Sequence, residues 1–189
     1  SDATVNATGS ITLSNAGTIT GSGSTLTLAG TATGSSMASI VGTGAGGLTK
    51  TGTGTWTLSG ASTYTGATTV SAGTLKLGAT GDATNTPLGT VGSGTTVASG
   101  ATLDLNGYTL GTAEALTLNG TGVGGTAGAL ANSSGTAVTY SGLLTLGSDA
   151  TVNATGSITL SNAGTITGSG STLTLAGTAT GSSMASIVG

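Results

Sequence analysis

The chain has 189 residues, of which charged residues make up 4%, and its formal net charge is −3. So few charges leave no basic stripe for nucleic acid and no polybasic patch for a membrane surface. The absence of cysteine excludes disulfides and thiolate metal sites, and a positive mean hydropathy is the reverse of the composition that keeps chains disordered.

The chain opens with SDATVNATGSITLSNAGTITGSGSTLTLAGTATGSSMASIVG, Ser1 to Gly42, and the same letters return as Ser148 to Gly189. The offset is 148 − 1 = 147 residues. Residues 1–147 therefore read as one full tandem unit, and 148–189 as the start of the next. The expectation is a single continuous array cut as a window from a longer one. Repetition of this kind favours architecture over chemistry, because an array multiplies a surface while an enzyme needs one site.

A short word, apolar–polar–apolar, recurs along the unit: Ile11-Thr12-Leu13, Leu26-Thr27-Leu28, Trp56-Thr57-Leu58, Leu75-Lys76-Leu77, Leu103-Asp104-Leu105, Leu116-Thr117-Leu118 and Leu144-Thr145-Leu146. Period-two alternation is the strand signature. Threonine and valine suit pleated positions, and the intervening Gly, Asn and Ser supply turns. No stretch holds a 3.6-residue apolar period, so essentially no helix is expected. Seven words in 147 residues average one per 21, which predicts an all-β solenoid of about seven coils per unit.

One pair of words predicts the stacking. Val70–Gly78 lines up with Val97–Gly107 if one residue is inserted after the first glycine. On that register Leu75 and Leu77 stack beneath Leu103 and Leu105 in the core, with Trp56 and Leu58 in the same role. Lys76 and Asp104 then form an outward pair that fixes register, worth roughly 0–1 kcal/mol if exposed. Ala79 to Pro87, which holds the only proline, is expected to bulge from its coil.

Candidate chemistry is sparse. Gly42, Gly44 and Gly47 spell a phosphate-cradling motif, but a strand-like sequence follows where the mechanism needs a helix. The acids Asp2, Asp82, Asp104, Glu114 and Asp149 are scattered, and Lys50 and Lys76 are the only bases. The acids read as solvated turn and strand residues rather than a carboxylate pair. Trp56, Tyr64, Tyr108 and Tyr140 read as core or capping residues, with a sugar-binding face as the other possibility. No catalytic, cofactor or metal site is assigned.

Gly46 to Gly78, GGLTKTGTGTWTLSGASTYTGATTVSAGTLKLG, resembles the autotransporter-associated β-strand repeat, also called the passenger-associated transport repeat. The words that carry the likeness are Leu48–Gly52, Gly54–Gly60, Thr63–Gly66, Thr68–Val70 and Ala72–Leu75. Trp56 stands where that family usually has Leu, and Ser62 where it has Asn. The resemblance implies a right-handed parallel β-helix in a secreted bacterial surface protein, with a part in passenger folding and export and no catalytic role.

The reading that follows is a structural repeat of an extracellular fibre or adhesin stalk, whose partner is itself, along the axis and in lateral bundles. No nucleic acid and no membrane insertion of this segment is expected. One alternative is a module that binds glycan or another cell-surface ligand, with the Ala79–Pro87 loop as the first candidate. Another is ice binding through threonine ladders. Against it, the polar slots of neighbouring words vary between Thr, Lys and Asp.

Overall fold

The computed structural model describes residues 1–189. All the strands pair in parallel, and a 3-10 turn at Val123–Gly125 is the single helical element. They stack as a β-solenoid of about eight turns with the course of a right-handed β-helix. No helix is long and apolar enough to cross a membrane.

Each coil has three sides. The first side is the ladder Ala3–Ala7, Leu26–Gly30, Leu48–Lys50, Thr68–Val70, Thr95–Val97, Leu116–Gly120 and the beginning of Leu144–Ala154. The second is Thr12–Leu13, Ser35–Met37, Thr55–Leu58, Gly73–Leu77, Ala101–Asp104, Leu130–Asn132, the end of Leu144–Ala154, and Leu173–Gly177. The third side is more broken: Thr18–Thr20 pairs Ile40–Gly42 at one end, and Val138–Tyr140, Ile158–Leu160 and Ser183–Met184 pair at the other.

Alternation puts one residue in two inside. On the first side Leu28, Val70, Val97 and Leu118 form a buried column; on the second, Trp56, Leu75, Leu103 and Leu130 do the same. These residues belong to one core cluster of 32 buried residues that runs along the axis. Backbone groups pair with the coils above and below, so the fold meets its hydrogen-bonding demand without bringing distant segments together.

The unit boundary, Gly147 to Ser148, falls inside the strand Leu144–Ala154. No linker separates the units. The unit occupies six complete coils and one further side: Val5 lies on the first side, stacked under Leu28, while its twin Val152 lies on the second, stacked on Leu130. Ile19 lies on the third side and its twin Ile166 on the first.

Candidate functional site

The outward columns differ between sides. On the second side the sequence of outward residues is Ser36, Thr57, Lys76, Asp104, Ala131 and Asn153. Lys76 Nζ lies 3.3 Å from Asp104 Oδ2 and donates to Ser133 Oγ at 3.1 Å. The carboxylate is not a solvated surface group. Asp104 is buried, and it accepts from the backbone N–H of Asn106 and of Ser133 and from the Ser133 hydroxyl. It ties three consecutive coils together, with Lys76 as a lid over it.

On the first side the outward column is threonine at every coil: Thr4, Thr27, Thr49, Thr69, Thr96, Thr117, Thr145 and Thr167. The varying slots and the threonine words therefore belong to different sides. Thr25-Leu26-Thr27 is on the first, and Thr55-Trp56-Thr57 on the second. Reading along the chain mixes the two columns, which hid the regular one.

The large buried side chains between Leu48 and Leu77 share one function. Lys50 points inward, fully buried, and donates to the carbonyls of Thr51, Gly52 and Ala72 at 2.7, 2.8 and 3.0 Å. Trp56 donates its indole N–H to the Ala29 carbonyl at 3.0 Å. The Tyr64 hydroxyl is 2.6 Å from Thr68 Oγ1, which donates to the Leu88 carbonyl. At each corner the chain turns out of the ladder and leaves carbonyls without a strand partner, and a buried side chain supplies the missing donor. Residues 48–77 match the family model of the passenger-associated-transport-repeat. No curated protein and no solved structure matches the chain.

The transport repeat so defined spans nearly two coils, from the first side of one to the second side of the next. Burial lowers the Lys50 pKa to about 8 and raises that of Tyr64 well above the phenol range. The sequence does not mark Lys50 as buried; its register, between Leu28 and Val70, turns it inward.

Glu114 corrects the reading of scattered solvated acids. It is buried, its Oε1 accepts from Thr95 Oγ1 at 2.9 Å, and its Oε2 has no partner. Burial pushes its pKa up to about 7, against the smaller opposing effect of the Thr95 hydroxyl. The Tyr140 hydroxyl donates to the Glu114 carbonyl at 2.6 Å, so Tyr140, Glu114 and Thr95 form a polar seam inside the core. Nothing in the local sequence around Glu114 distinguishes it from an exposed acid; its burial follows from the coil that lies over it. There, Gly142 packs directly on the Glu114 carbonyl, and a Cβ would overlap it.

The remaining candidates are apart from one another. No group of three or more acidic side chains is gathered. Gly42, Gly44 and Gly47 form a corner that runs straight into the strand Leu48–Lys50. Tyr64 and Tyr140 are core residues, and Tyr108 is partly buried against the core. In the 79–87 loop, Asp82 Oδ1 accepts from the N–H groups of Thr84 and Asn85, which lowers its pKa. The loop bulges only at its tip. Thr86 and Leu88 are buried, and Thr86 bridges to Ser62 and Gly89. Excising the loop through Pro87 would remove a structural anchor, so a clean deletion stops at Asn85.

Proposed function

We propose that this chain is a structural segment of a secreted bacterial surface fibre or stalk, in which 147-residue units stack coil on coil into a rigid rod. The observation that carries the reading is the unit boundary inside one strand. Because Leu144–Ala154 serves both units, the second continues the ladders of the first with no hinge. The transport repeat at residues 48–77 agrees with a passenger segment that works outside the cell or at its surface. Coil stacking needs no cofactor, enzyme chemistry or nucleic acid, and the partner is the chain itself. With strands about 4.8 Å apart, each unit adds about 30 Å of rod.

Small-angle scattering on chains of one to four units tests this. The expected result is a constant cross-section and a length that grows by about 30 Å per unit. A cross-section that widens with unit number would mean that units fold back on each other, and the reading would fall.

A second reading is favoured by the threonine column from Thr4 to Thr167. A flat column of hydroxyls and methyls spaced at about 4.8 Å suits an ordered lattice, such as ice or a crystalline glycan at a cell surface. Thermal hysteresis and pull-down on insoluble glycans test it. Activity unchanged when Thr69, Thr96 and Thr117 become lysine would sink it.

A further inference from the structure

We infer that successive 147-residue units are related by a screw of one third of a turn, so that an array repeats only after three units and turns each surface group of the unit to all three sides. The inference deepens the rod reading and rests on it only for the existence of an array. The rotation itself is carried by the two copies already present.

The argument is one of register. Starting from Val5, the first-side column passes through Leu28, Lys50, Val70, Val97 and Leu118 to Leu146, seven coils in all. Val152 comes six residues after Leu146 in the same coil, and it has already crossed to the second side, where it stacks between Leu130 and Leu175. The other twins agree. Leu13 is on the second side and Leu160 on the third; Val41 is on the third and Val188 on the first. All three sides of the unit move on by one. A unit thus holds 6 × 3 + 1 = 19 side-positions, and 19 is not a multiple of three. Sequence identity and azimuth coincide again only after three units, or 19 coils, about 90 Å along the axis.

The consequence reaches every exposed feature. The threonine column ends where Gly189 stacks on Thr167, as Gly42 stacks on Thr20. The next column has by then begun on the second side, where Thr151 stacks under Thr174. Each side of an array therefore carries the threonine column in blocks of eight coils, with eleven coils between blocks. The Asp82 loop tip moves round in the same steps. A flat partner on one side meets a given residue once in about 90 Å, and the three sides are equivalent over that length.

Distance measurement between spin labels on this chain tests the screw. It has no native cysteine to interfere. Thr49 and Thr55 sit on the same coil, on the first and second sides, five coils below Thr174. If the second copy has moved on by one side, the pair Thr55→Cys with Thr174→Cys is separated by about 24 Å of axial rise alone. The pair Thr49→Cys with Thr174→Cys is longer by the width of the coil. Should either variant misfold, Thr57→Cys with Ala176→Cys replaces the same-side pair. A Thr49–Thr174 distance equal to or shorter than the Thr55–Thr174 distance would overturn the inference, because the twin of Thr27 would then share its side. Chains of six units should show an axial period of about 90 Å in projection; a period of about 30 Å would overturn it as well. If multi-unit chains form no rods while the label distances hold, the scaffold reading falls and the screw stands.

Discussion

Trp56 donates its indole N–H to the carbonyl of Ala29, a residue 27 positions back in the chain and one coil away. The ring is almost fully buried and stacks in register on Ser35 below and Leu75 above. The bond satisfies a carbonyl next to a corner, while the ring fills the core between two coils. Trp56→Ala should therefore cost about 3–5 kcal/mol, and Trp56→Leu, which restores a buried apolar side chain, clearly less. Denaturant unfolding measures both. As the only tryptophan, Trp56 also reports the native state by blue-shifted emission. Equal losses for the two variants would mean that the hydrogen bond, and not the packing, dominates.

The twin residues Leu28 and Leu175 offer a comparison at constant local sequence. Leu28 is 0% exposed and Leu175 57% exposed, because only Leu28 has a coil above it. Leu28→Ala should cost about 2–5 kcal/mol, while Leu175→Ala should stay within about 0.5 kcal/mol. Amide exchange should likewise be faster over residues 173–188 than over 26–41, since the end coil opens without disturbing the rest. Similar exchange rates in the two copies would contradict the one-dimensional stability that a solenoid implies.

Stability should depend on pH through Glu114. Its folded pKa of about 7 lies above the ordinary carboxyl value near 4.3. Between those values the folded chain holds a proton that the unfolded chain releases. Stability is therefore greatest below about pH 4.3 and falls as pH rises to 7, by at most about 1.4 kcal/mol per unit. Glu114→Gln should flatten the profile and raise stability at pH 8. Lys50, lowered to about 8, acts in a separate window: the unfolded chain there holds the extra proton, so stability rises from pH 8 towards 10.5. A profile of the same slope in Glu114→Gln would remove the carboxyl from the explanation.

Lys76 and Asp104 are partners of unequal weight. Lys76 is about 29% exposed at its side chain and Asp104 about 6%. Removing the lysine leaves an aspartate that still accepts from Asn106 and Ser133, so Lys76→Ala should cost roughly 0–1 kcal/mol. Asp104→Ala strands two backbone N–H groups and the Ser133 hydroxyl, and should cost about 2–3 kcal/mol. Thermal unfolding of the two single variants and the double variant separates the ion pair from the hydrogen bonds. Equal costs would make the ion pair the whole of the interaction.

Gly142 packs against the Glu114 carbonyl of the coil below. A methyl there would meet the Glu114 carbonyl, which is backbone and can yield only if the coils part. Gly142→Ala should lower the melting temperature by several degrees, and Gly135→Ala, which meets nothing within 4 Å, should leave it nearly unchanged.

The local rules are legible in the residues alone. Alternating words such as Leu75-Lys76-Leu77 and Leu103-Asp104-Leu105 set which residues face inward, and their glycine-bounded spacing set parallel coils over hairpins. The residues of the transport repeat were legible because their order is specific. Folding, in contrast, settles which word lies above which. Coils vary in length from 19 residues, Trp56 to Leu75, to 28, Leu116 to Leu144, so no fixed period in the chain assigns a word to a side. That assignment made one column all threonine, placed Glu114 and Lys50 inside, and moved the second copy round by one side. The reason is that burial and azimuth in a solenoid are properties of neighbouring coils, which lie 19 or more residues away along the chain, and the local sequence carries no direct mark of them.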